Sequence, residues 1–119
     1  MDFTFDNNIP IYIQLLEYIK IYLISGVFKA GDKLPSVRDF ANAFKVNPNT
    51  MQKALQELES MNLIYTERTN GKYVTKDEKL LEKLKDEYAI TLAKSYISGM
   101  KKIGLGKADS IKYLEGLDE

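Results

Sequence analysis

Residues 45–60, KVNPNTMQKALQELES, decide the fold. Asn47 belongs to the residue types that cap a helix start with a side-chain oxygen, and Pro48 suits the first helical position, where its missing N–H costs nothing. Met51, Ala54, Leu55, Leu58 and Met61 then recur at the helical period and mark an inward face. Asn49, Thr50, Gln52, Lys53, Gln56 and Glu57 fall on the outward one.

Immediately upstream, Ser36 followed three residues later by Asp39 reads as a capping-box-like start. It opens a short helix with Val37, Phe40, Ala41 and Phe44 inward, ending near Phe44. Only Lys45 and Val46 separate that helix from the Asn47 cap, so the two must cross steeply, as in a helix-turn-helix. Further upstream, residues 9–26, IPIYIQLLEYIKIYLISG, form an apolar helix opened by Pro10 and closed by Gly26. Ile11, Leu15, Tyr18 and Tyr22 share one face and Tyr12, Leu16, Ile19 and Leu23 another, which predicts burial on two fronts. Between the two helices, Gly31 and Pro35 predict a connection with a very short strand at Lys33-Leu34.

Downstream, residues 63–75, LIYTERTNGKYVT, alternate and are rich in Tyr, Thr, Ile and Val. The pattern predicts strands at about 63–68 and 72–75, joined at Asn70-Gly71, a strong hairpin signal. From Asp77 the helical period returns with Leu81, Leu84, Tyr88, Leu92 and Tyr96, and Gly99 to Gly106 are read as an interruption. A last helix, about residues 107–117, presents Ile111, Leu114 and Leu117.

A chain of 119 residues holds one small domain plus an appendage. It has no Cys and no His, so disulfides, thiolate or imidazole metal sites, Cys nucleophiles and Ser-His-Asp arrangements are excluded. No carboxylate pair or phosphate-cradling Gly-rich loop suggests catalysis, and no cofactor or enzyme activity is expected. A cytoplasmic location is expected, since the N-terminus carries two Asp and no basic residue, unlike a secretory signal, and residues 9–24 are too short and polar for a bilayer. Charge is balanced, 17 basic against 17 acidic, but residues 29–76 hold eight basic against five acidic. The middle third carries the positive charge.

Three helices followed by a hairpin is the order of a winged helix-turn-helix, whose second paired helix enters the DNA major groove while the wing touches the flanking backbone. The fold class expected is therefore mainly α with a minor β hairpin. The winged domain occupies residues 1–76 and a two-helix extension residues 77–119. Double-stranded DNA is the expected partner. Ser36, Arg38 and Lys45 flank the tight turn; Asn47, Asn49, Thr50 and the backbone N–H groups at the helix start suit phosphates. Gln52, Lys53 and Gln56 reach base edges, Gln suiting adenine and Lys guanine. Arg68, Thr69, Gly71 and Lys72 form the wing's contacts, Gly71 allowing the turn a positive φ.

The stretch GDKLPSVRDFANAFKVNPNTMQKALQELESMNLIYTERTNGKYV, residues 31–74, resembles the N-terminal domain of the GntR family of bacterial transcription regulators through Gly31, Leu34-Pro35-Ser36-Val37-Arg38, Ala41, Val46, Thr50, Ala54-Leu55, Leu58, Leu63-Ile64 and Gly71. The upstream Ile11-Tyr12, Gln14 and Gly26 extend the likeness. The resemblance implies DNA contacts at Arg38, Thr50 and Gly71. This chain has Pro48 and Gln52 where much of the family has Arg, so those base contacts do not carry over, and Thr69 where a wing Gly is common, which leaves the depth of the wing in the minor groove open. The Asn47-Pro48-Asn49-Thr50 start is similar to the YtrA subfamily. That likeness implies a short helical dimerisation extension and repression of operons that often encode transport systems.

The residues point to self-association independently, because a two-helix tail with an apolar stripe cannot bury itself alone. Leu81, Leu84, Tyr88, Leu92, Tyr96 and Ile97 are the expected homodimer seam. A small-molecule effector has no residues assigned to it, and no membrane partner is expected. The rival reading is a winged-helix protein-interaction module whose tail binds another protein without DNA.

Overall fold

The computed structural model describes residues 4–118. In chain order it contains α1 (Ile11–Ser25), α2 (Val37–Phe44), α3 (Pro48–Ser60), β1 (Ile64–Glu67), β2 (Gly71–Val74), α4 (Glu78–Lys102) and α5 (Lys107–Glu115). Two compact units divide it, Met1–Glu82 and Lys83–Glu119.

In the first unit, the core is built where the helical periods of α1 and α3 meet. Leu15, Ile19, Met51, Leu55 and Leu58 are fully buried, with Phe40, Ala41 and Phe44 of α2 beside them. An aromatic edge closes the α1–α2 side: the Tyr22 and Phe28 rings lie 5.9 Å apart, Phe28 and Phe40 5.8 Å, and Phe40 and Phe44 5.8 Å. Burial, aided by the nearby Tyr18, raises the Tyr22 phenol above its ordinary 10.0.

Each helix end has a local cause. Gly26 stops α1 with φ 91°. Ser36 Oγ accepts the Asp39 N–H at 3.1 Å to start α2. Lys45 ends α2 in the left-handed region at φ 59°, ψ 48°, and the Val46 N–H returns to the Ala41 carbonyl at 3.0 Å. Asn47 Oδ1 accepts the Asn49 N–H at 2.8 Å and starts α3. That helix ends one residue before Met61, with Asn62 at φ 63° and the Leu63 N–H on the Leu58 carbonyl at 3.1 Å. Met61, read from spacing as inward, is therefore 38% exposed: the helix stops before the period reaches it.

β1 and β2 pair antiparallel, Ile64 opposite Val74 and Glu67 opposite Gly71. Arg68, Thr69 and Asn70 connect them, the Asn70 N–H closing on the Glu67 carbonyl at 3.2 Å. The sequence signal Asn70-Gly71 thus lies at the end of the turn, not at its centre, and Gly71 alone takes the positive φ, 107°. The Lys33-Leu34 strand is a single bridge, Lys33 to Tyr73. Around it, the Leu34 N–H donates to the Lys72 carbonyl at 2.9 Å and the Val74 N–H to the Asp32 carbonyl at 2.8 Å. The base of the hairpin is held on both sides.

In the second unit, α4 passes through Gly99 without a break and ends at Lys102, correcting the interruption read there. One glycine costs about 1 kcal/mol in a helix, too little to end a long hydrogen-bonded run. The stop is Gly104, at φ 86°, with the Leu105 N–H on the Met100 carbonyl at 3.0 Å. The Gly106 N–H donates to Asp109 Oδ2 at 3.2 Å and starts α5, which ends at Glu115, short of the expected 117. Tyr96 Oη donates to the Ser110 carbonyl at 2.8 Å, tying α5 to α4. Among the described residues of this unit no apolar side chain is buried. Among the described residues, no helix is long and apolar enough to cross a membrane.

Candidate nucleic-acid interface

Along α3 the side chains separate by angle. At about 100° per residue, Asn49, Gln52, Lys53 and Gln56 lie within about 100° of one another and opposite the buried Met51, Ala54, Leu55 and Leu58. Asn49, Lys53 and Gln56 are exposed, and Thr50 and Gln52 half-buried. The short α2 before it carries Ser36 and Arg38 at its start, both exposed, and Lys45 projects from the turn between the helices. Across the hairpin tip, Arg68, Thr69 and Gly71 are exposed.

Several side chains are already engaged. The Lys53 ammonium lies 3.9 Å from the Tyr12 ring centroid, a cation–π contact that ties α3 to α1 and draws that charge back from the outer face. Lys72 is half-buried, its Nζ 3.0 Å from Thr66 Oγ1 and 3.5 Å from Glu59 Oε1. Thr66 Oγ1 also donates to Glu59, so the wing strand is fastened to the end of α3. Lys72 is part of that fastening, not a free cation of the wing as its position in sequence suggested.

The start of α3 also differs from expectation. Pro48 has no N–H, Asn49 gives its N–H to Asn47 Oδ1, and Thr50 and Met51 give theirs to the Asn47 carbonyl at 3.0 and 3.1 Å. No first-turn N–H is left for a phosphate; side chains carry that surface. Asn47 itself serves as the cap, and Ser36 does the same for α2.

Arg38, Lys45 and Arg68 are exposed and form no ion pair among the described residues. Lys33 joins them. Its side chain runs beside Gly71, where an added Cβ would meet Lys33 Cε at 3.7 Å. Its place in the sequence gives no sign of this, because only the backbone bridge from Lys33 to Tyr73 brings it to the hairpin. Among the described residues, no group of three acidic side chains could hold a metal ion.

The residues expected at a seam fall on different surfaces. Leu81 is only 9% exposed and belongs to the first unit's core. Leu84 is half-buried. Tyr88 and Tyr96 are half-buried and Leu92 is 69% exposed on one side of α4. Ile97 is nine residues after Tyr88, which on an α-helix places it about 180° away. The other five share one side of α4, as their spacing predicts, and Ile97 alone stands off it.

Residues 11–74 match the family described as bacterial regulatory proteins, gntR family. Over its whole length the chain is 33% identical to an uncharacterized HTH-type transcriptional regulator, YhcF, of Bacillus subtilis, covering 98% of it. Over 73 residues, 61% of this chain and 56% of the relative, it is 42% identical to the HTH-type transcriptional repressor YtrA of the same organism. A GntR family transcriptional regulator from Listeria monocytogenes superposes with TM-score 0.87 at 41% identity, over 96% of this chain and 100% of that one. The AraR DNA-binding domain, solved in complex with operator ORX1, superposes at TM-score 0.55 and 25% identity over 63% of this chain and 92% of that one. The winged helix-turn-helix fold is thus shared with GntR regulators.

Proposed function

The chain belongs to the GntR family of bacterial regulatory proteins, and from that premise we propose that it is a homodimeric, cytoplasmic repressor of the YtrA type that reads a palindromic operator controlling a transport-type operon. Residues 1–76 are the DNA-binding domain and residues 77–119 the dimerisation extension. α3 enters the major groove with Asn49, Gln52 and Gln56 toward base edges; Thr50, Arg38 and Lys45 take phosphates, and Arg68, Thr69 and Gly71 the flanking backbone, with Lys33 beside them. Two copies related by a twofold axis place their recognition helices about one helical turn of DNA apart, which is why the operator is palindromic.

The observation that carries the reading is the set of exposed, unpaired cations, Arg38, Lys45 and Arg68, around a helix-turn-helix whose outward face is polar. They lie within residues 29–76, which hold eight basic against five acidic residues in a chain of net zero charge, so the positive excess is gathered on this domain. Homodimerisation is supported by the second unit, whose Ile103, Tyr113, Leu114 and Leu117 are more than half exposed and find no cover within it. The repressor reading and the YtrA assignment lean on the 42% identity to that repressor over the DNA-binding region.

Footprinting on the DNA upstream of its own gene tests the proposal. The expected result is a protected site with twofold symmetry, lost in an Arg38→Ala, Arg68→Ala double variant that still folds. Protection without symmetry would remove the dimeric palindrome, and no protection at any protein concentration would remove DNA binding.

A further inference from the structure

One face of α4 is unaccounted for by the packing of its own unit. Ile90, Ala93 and Ile97 floor a shallow groove rimmed by Lys94, Lys101 and Lys107. Ile90 is 46% exposed, and none of the three lysines pairs with a carboxylate among the described residues. An acid stands one turn before this floor, Asp86, also exposed and unpaired. Asp86, Ile90, Ile97 and Lys101 fall within about 60° of helix surface.

Their spacing is palindromic with the charges inverted. Asp86 precedes Ile90 by four residues, and Lys101 follows Ile97 by four. A twofold axis midway between residues 93 and 94 that sets Ile90 on Ile97 of a second, antiparallel helix also sets Asp86 on Lys101. We propose that this groove seats the same groove of a second copy of the chain, antiparallel, with Ile90 against Ile97 of the partner subunit and Asp86 against Lys101 of the partner subunit, each contact made twice. The inference rests on the homodimer reading and deepens it by naming the face, the direction and the register.

Competing arrangements fail on charge. A parallel pair in register sets Asp86 on its own copy and Lys101 on its own copy. Moving the antiparallel axis by half a residue, onto Lys94, places two ammonium groups face to face. Ala93, next to the axis, leaves room for the helices to approach. The seam expected from sequence, around Tyr88, Leu92 and Tyr96, lies on the other side of the helix, and Tyr96 is occupied by α5.

The 119 residues contain no Cys, which makes the test direct. Sedimentation equilibrium at low salt should find Asp86→Lys and Lys101→Asp each dimerising roughly tenfold more weakly, since each reversal turns two attractive pairs into repulsive ones, and the double variant should recover most of the loss. Mild oxidation should cross-link Ala93→Cys and leave Leu92→Cys monomeric in denaturing gels. A wild-type chain that dimerises while the double variant stays as weak as the singles, or that cross-links through Leu92→Cys instead of Ala93→Cys, would overturn the register alone. A wild-type chain that stays monomeric throughout would overturn the homodimer reading with it.

Discussion

Lys45 holds a left-handed conformation, φ 59° and ψ 48°, at the turn between α2 and α3. For a residue with a Cβ that conformation costs roughly 1–2 kcal/mol, whereas glycine adopts it freely. The turn needs it: the Val46 N–H reaches back to the Ala41 carbonyl only when the chain reverses there. The Lys45 side chain is exposed and without an ion pair among the described residues, so its own fold gains nothing visible from the charge. If the charge serves DNA, Lys45→Gly should raise stability and lower affinity together. The relief of strain, less about 0.4–1 kcal/mol for the extra freedom of glycine in the unfolded chain, leaves a gain of about 0.5–1 kcal/mol. Urea unfolding at fixed protein concentration reads that gain as a higher midpoint at unchanged slope. Lys45→Ala keeps the strain and loses the charge, so it should match the wild type in urea and the glycine variant on DNA. On DNA, losing one phosphate contact per protomer should reduce the slope of log affinity against log salt by about 1.8 for a dimer. A glycine variant that is no more stable would refute the strain argument. One that binds with the wild-type salt slope would refute the phosphate contact.

Arg38→Ala should weaken binding to every duplex alike, by tenfold or so, and leave the urea midpoint unchanged, because the side chain has no ion pair to lose among the described residues. Gln52→Ala should instead alter which operator variants are preferred, measured by competition among single-base substitutions; Lys53→Ala should leave that preference unchanged and cost about 0.5–1 kcal/mol of stability as its contact with Tyr12 is lost. Tyr22 titrates above 10.0 in the folded chain. Its neutral form is favoured by folding, so that stability is complete below the unfolded value and is lost as pH rises from there through the raised folded value. Urea midpoints taken on both sides of that range should fall less in Tyr22→Phe than in the wild type.

Where side-chain chemistry dictates backbone geometry locally, the fold was legible from sequence. Ser36, Asn47-Pro48 and Gly26 each cap or open a helix where their chemistry places them, and the alternation of residues 63–75 gave both strands to within two residues. Misreadings arose where a longer-range balance decides. Gly99 was weighed as a breaker, although its cost is small against the hydrogen bonds of α4 on either side. Met61 fitted the helical period, but Asn62 in the left-handed region ended the helix first. In the interface, polarity and spacing identified the outward face of α3, but not that Tyr12 draws Lys53 aside or that Glu59 fastens Lys72, since both partners come from elsewhere in the chain. Lys33 was missed for the same reason: only the hairpin's third backbone partner brings it beside Gly71.

Binding of the full chain to DNA upstream of its own gene, across a salt series, against a scrambled duplex and with molecular mass determined alongside, tests the central claim most directly. Lys33, Arg38, Lys45 and Arg68 supply four uncommitted cations per protomer, so a dimer should bind selectively with a log–log salt slope on the order of −7. A monomer indifferent to both duplexes and to salt would contradict the account.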